Sequence, residues 1–132
     1  MTQTWIVDGN NVVGSRPDGW WRDRPGAAAR LVDEVARLVL DRRAWPEAGP
    51  ILIVFDGPPP DAGLDRAGVV VMHAGSGRSA DDAIVDRVAE QSREGSTPMV
   101  VTSDRVLAQR VREIGAAVTP SRRFLDRLEA AR

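Results

Sequence analysis

Four short segments of the chain are apolar from end to end and rich in β-branched residues: Trp5-Ile6-Val7, Ile51-Leu52-Ile53-Val54-Phe55, Val69-Val70-Val71-Met72 and Met99-Val100-Val101-Thr102, with Ala116-Ala117-Val118 a weaker fifth. A strand with one face in water alternates apolar and polar residues. Uninterrupted runs of this kind belong to strands covered on both faces, as in a parallel sheet flanked by helices. Helical periodicity fills most of the intervals. Leu31, Val35, Leu38 and Val39 define a stripe within 27–43, opened by Pro25 and Gly26. Ile84, Val85 and Val88 make a second stripe, and Leu107, Ala108, Val111 and Ile114 a third. Ser121 is placed to cap a last helix carrying Phe124, Leu125 and Leu128. Strand and helix patterns alternate along most of the chain, which predicts one α/β domain over 1–132. Neither a repeat nor a linker divides it, because Pro58-Pro59-Pro60 follows its strand too closely.

Composition removes whole classes of chemistry. Cysteine is absent, so disulfides, thiolate metal sites and cysteine nucleophiles are excluded. All 18 basic residues are arginine, against 19 acids, for a net charge of −1. Without lysine there is no P-loop, no receiver-type or haloacid-dehalogenase-type phosphatase in its usual form, and no Schiff base. The start of the chain, Met1 to Asp8, joins no basic stretch to a long apolar run, which predicts a cytoplasmic protein without signal peptide or membrane anchor.

Three of the strands run straight into an aspartate: Val7 into Asp8, Phe55 into Asp56, and Thr102 through Ser103 into Asp104. Open α/β sheets bind ligands outside the carboxyl ends of their strands, so acids remote in sequence converge there. Ser79-Ala80-Asp81-Asp82 adds a capped helix start with two acids in its first turn. At roughly 100° per residue, Asp81 falls on the stripe of Ile84, Val85 and Val88, while Asp82 turns toward Asp86 and solvent. Asp82 is read either as a ligand or as the acidic half of a capping pair with Ser79. A carboxylate on an inward face needs a cation, and an oxygen-only ligand set selects Mg2+ or Mn2+. Aspartate also caps helices for purely structural reasons. Coincident capping at four such positions is the bland alternative to a metal site.

Ile6-Val7-Asp8-Gly9-Asn10-Asn11-Val12-Val13-Gly14, Val54-Phe55-Asp56-Gly57, Ser79-Ala80-Asp81-Asp82 and Thr102-Ser103-Asp104 together resemble the NYN domain family of PIN-like ribonucleases, in particular its YacP-like bacterial branch. The pieces come in that family's order and span most of the chain. The resemblance implies a three-layer α/β/α domain with a parallel central sheet and metal-dependent endonucleolytic cleavage of RNA. It places Asp8, Asp81 and Asp104 on the acidic cluster, Asp56 on the second-strand acid and Asn11 on the asparagine that follows the first aspartate. Relatives often carry a further acid before the first helix ends; Asp33 and Glu34 stand there without a clear motif.

The expected mechanism uses Asp8, Asp81 and Asp104, helped by Asp56 and Asp82, to hold one or two divalent ions, with Asn11 positioning a phosphate or water. With those five acids set aside, the remainder of the chain is mildly basic. Arg16, Arg22 and Arg24 beside Trp20-Trp21 suit phosphate contact and base stacking, and Arg78 suits phosphate contact. The two tryptophans either form that RNA platform or seal the first helix against the sheet. The low net charge points to weak binding of naked RNA and to a carrier such as the ribosome. His73, without a second histidine or cysteine, is read as a packing or surface residue, and Arg122-Arg123 either as an RNA contact or, preferred, as a complement of the C-terminal surface. The competing functions are a PIN-like module that binds RNA or the ribosome without cutting, and a phosphatase or nucleotide hydrolase. The latter lacks an Asp-x-Asp nucleophile, since Asn10 stands at its second acid.

Overall fold

The computed structural model describes residues 3–60 and 63–131. The first two residues of the amino-terminal stretch and the extreme ends of the 1–132 domain range lie outside them. The strands are β1 (Gln3–Asp8), β2 (Ala48–Phe55), β3 (Val69–His73), β4 (Met99–Val101) and β5 (Ala117–Thr119). The helices are α1 (Gly9–Gly14), α2 (Arg24–Leu40), α3 (Ala80–Arg93), α4 (Arg105–Glu113) and α5 (Ser121–Ala130), with a short 3-10 turn at Trp20–Arg22. All strand pairs are parallel and the order is β3-β2-β1-β4-β5. The chain winds outward from β1 in one direction, then returns across the sheet and winds in the other. The order therefore reverses between β1 and β4, and that switch point is where such a sheet opens a crevice at its carboxyl edge.

Two clusters of apolar side chains show why the runs are continuous. Trp5, Val7, Ile51, Ile53, Phe55 and Val101 pack beneath α2 and α5 with Leu31, Val35, Phe124 and Leu125. Their neighbours Ile6, Leu52, Val54 and Val100 point to the other face, against Ile84, Val88, Leu107 and Val111 of α3 and α4. The expected three-layer α/β/α arrangement is the one observed.

Two local expectations are corrected, and one helix adds to them. The first long helix covers Arg24–Leu40, not 27–43: the Asp23 carboxylate accepts from the Gly26 N–H at 3.0 Å and starts it early, and Asp41 turns the chain out by accepting from Arg43 and Ala44 N–H. The segment after β1 is a short helix, although two glycines and two asparagines are poor helix formers. Burial of Val12 and the outward commitments of both asparagines hold it. Ser121 is not the cap of α5, since Pro120 occupies that position and the Ser121 hydroxyl turns elsewhere.

Candidate active site

Side-chain alternation in β1 sends Asp8 to the same face as Ile6, toward α3 and α4, and Thr102 shares that face with Val100. The two meet: the Thr102 hydroxyl donates to Asp8 Oδ2 at 2.8 Å, and both residues are buried, at 1% and 4% exposure. Thr102 Oγ1 also accepts from the Asp104 N–H at 3.1 Å. One threonine thus fixes the carboxylate of β1 relative to the exit of β4.

Asp56 leaves β2 and accepts from the Ala80 N–H at 2.7 Å, so it helps Ser79 cap α3. Asp104 caps α4, one oxygen accepting from the Val106 and Leu107 N–H groups. Asp82 is exposed and pairs with Arg110 at 3.1 Å, while its own N–H donates to Ser79 Oγ at 3.1 Å. Asp81 is partly buried on the inward side, and no hydrogen bond or ion pair engages its carboxylate among the described residues.

The acids feel one another. Burial pushes the Asp8 carboxyl up from 3.8 to about 6; Asp81 and Asp56 add to the rise, against the Thr102 hydroxyl and the Asn11 backbone N–H. Asp81 is also raised, first by burial, then by Asp104 and Asp56, with Arg110 opposing. Burial is the larger cause at both groups, and neighbouring carboxylates with little countercharge add to it. Their all-oxygen donor set suits a hard divalent cation. Among the described residues, however, no three acidic or histidine side chains converge tightly enough to enclose an ion. The cluster is assembled but open.

The asparagines after Asp8 brace it on both sides. Asn10 Oδ1 accepts from the Asp56 N–H at 2.7 Å, at the exit of β2. Asn11 Oδ1 accepts from the Ser103 N–H at 2.9 Å and from the Ser121 hydroxyl at 2.6 Å, tying the exit of β4 and the start of α5 to β1. The Asn11 oxygen is therefore engaged in bracing, which leaves only its amide NH2 to reach a phosphate or water. Gly9, between Asp8 and Asn10, is needed for space, since a Cβ there would come within 2.5 Å of the Phe55 ring. Asn10, Thr102, Ser103 and Ser121 had no signal as site residues in the sequence. Their partners lie 46 to 110 residues away.

The basic candidates divide. Arg16 turns inward to a bidentate pair with Glu34 at 2.8 and 2.7 Å and does not join an exposed surface. The same pair gives Glu34 its structural role, and Asp33 pairs with Arg66. Arg78 pairs with Asp86 at the surface. Trp21 is 55% exposed and Trp20 less so; they meet edge to face, with Arg22 over Trp21 and Arg24 over Trp20 at 5.9 and 5.4 Å. Trp21 therefore does not seal a helix. His73 stacks on Phe55, and burial lowers its proton affinity.

A family model described as the YacP-like NYN domain matches residues 5–132. Two crystal structures of Rae1 (YacP) from Bacillus subtilis superpose on the chain. One, of a tryptophan-to-leucine mutant, gives a TM-score of 0.77 at 20% identity, covering 98% of this chain and 76% of that one. The other gives 0.71 at 20% identity, covering 98% and 75%. At such identity the likeness is one of fold. No curated protein matches the chain.

Proposed function

Because the chain belongs to the YacP-like NYN domain family, whose domain is of the PIN-like nuclease type, we propose that it is a Mg2+- or Mn2+-dependent endoribonuclease of the cytoplasm acting on single-stranded or ribosome-associated RNA. The observation that carries this reading is the set of carboxylates from three strand exits and one helix start near the switch point, where burial first and the neighbouring acids second raise the proton affinity of Asp8 and Asp81. Asp8, Asp81 and Asp104 are the residues that would hold the cation, with Asp56 beside them and Asp82 linked outward to Arg110. A divalent ion held there would supply Lewis acidity, lowering the pKa of a water and offsetting charge on the phosphate. Thr102 keeps Asp8 oriented, and Asn10 and Asn11 keep the three strand exits in register. Trp20, Trp21, Arg22 and Arg24 offer the RNA a stacking surface.

The test is metal-dependent cleavage of end-labelled single-stranded RNA by the wild type and by Asp8→Asn and Asp81→Asn proteins. The expected outcome is a loss of about 100-fold or more in both variants. Equal cutting by all three would remove the aspartates from the chemistry. The open arrangement of the acids favours one other reading, a module that binds RNA without cutting. It predicts binding by all three proteins and cleavage by none.

A further inference from the structure

The helix amino termini that face the carboxyl edge differ in their charge. The first turn of α3 holds Asp81 and Asp82, while those of α4 and α5 hold no acid and carry Arg105 and the pair Arg122-Arg123. Cations at that end of a helix oppose its dipole, so helix stability does not account for them. All three arginines are exposed and none makes an ion pair among the described residues. Their neighbours place them at the rim of the acidic cluster. Arg105 directly follows Asp104, and Ser121, which precedes Arg122, bonds to Asn11 and to Ser103. Arg122 also donates to the Ser15 carbonyl at 2.9 Å, which binds the loop after α1 to α5.

An acidic centre repels the polyanion it is meant to cut unless cations flank it. We infer that Arg105, Arg122 and Arg123 form a phosphate-binding surface that leads one flank of a single-stranded RNA onto the aspartates, an assignment that rests on the proposed RNA substrate. Beside it Val106 is 69% exposed, an apolar face at the first turn of α4. Such a face suits unpaired bases, whereas a duplex buries its own.

The probe is fluorescein-labelled oligouridine bound without divalent ion to the full chain carrying Asp8→Asn, so that nothing is cut. Each phosphate contact adds about 0.7 to the slope of log affinity against log salt. Adding Arg105→Gln and Arg123→Gln should reduce the slope by about 1.4 and weaken binding at low salt about tenfold, with a melting midpoint that stays level or rises slightly. Adding Arg43→Gln and Arg93→Gln, exposed at the amino edge, should do neither. An unchanged slope in the first protein, or an equal loss in the second, would overturn the surface. An equal loss on blunt duplex RNA would overturn the single-strand assignment. Because binding is read apart from cleavage, an arginine-dependent slope in a protein whose wild type never cuts keeps the surface and removes only the nuclease reading.

Discussion

The two ends of the sheet are built on opposite principles. Toward the amino end, Trp5 and Trp45 meet edge to face at 4.8 Å, and Phe124 lies 6.3 and 6.0 Å from them. Arg127 covers both indoles, at 5.2 Å from Trp45 and 6.0 Å from Trp5, and pairs with Glu47. There, apolar contact supplies stability, even with two buried indole N–H groups left without partners among the described residues. At the carboxyl end, like charges are brought together and partly buried, and hydrogen bonds hold them against their repulsion. One end stabilises the fold, and the other draws on that stability to keep a site in place.

The largest test of this contrast is Trp45→Ala. A side chain only 1% exposed is lost, which should cost about 3–5 kcal/mol in chemical denaturation. Cleavage per folded molecule should stay within about twofold, because the change lies far from the acids. A parallel fall in both would show that the two ends are not separable.

Asp8→Asn should act in the opposite direction on stability. The folded state holds the Asp8 proton up to about pH 6, against 3.8 ordinarily. Stability from this group is thus complete below 3.8 and lost as pH rises through 6. The asparagine protein, without divalent ion, should exceed the wild type by about 1–3 kcal/mol at pH 7.5 and match it at pH 3.5. Added Mn2+ should narrow the gap by stabilising the wild type. A variant less stable at pH 7.5 would mean that the Thr102 bond outweighs the burial and repulsion of the charged carboxylate.

The smallest effect is expected at the brace. Asn10→Ala removes one bond to the Asp56 N–H, worth about 1 kcal/mol, yet cleavage should fall about tenfold because the exit of β2 loses its tie to β1. Lost stability without lost activity would make Asn10 a fold residue only.

Legibility followed the range of the signal. Buried runs and the aspartates at their ends are local patterns, so the parallel sheet and the positions of Asp8, Asp56, Asp81 and Asp104 were readable. The inward turn of Asp81 came from helical geometry alone. What escaped depends on distant partners. Arg16 reads as a loop cation until Glu34 arrives 18 residues later, and Ser121 reads as a cap until Asn11, 110 residues earlier, takes its hydroxyl. Helix α1 was invisible because its composition argues against it and only its surroundings impose it.

The central place of β1 also sets when the site comes into being. Its partners are β2, which begins at Ala48, and β4, which begins at Met99. A chain emerging from its amino end therefore makes Asp8 first and completes its neighbourhood only after Thr102 and Asp104 have followed, with a long loop to close. Until that moment β1 has an open edge and no finished centre. The order of synthesis itself withholds the assembled acidic centre until the second half of the chain has emerged.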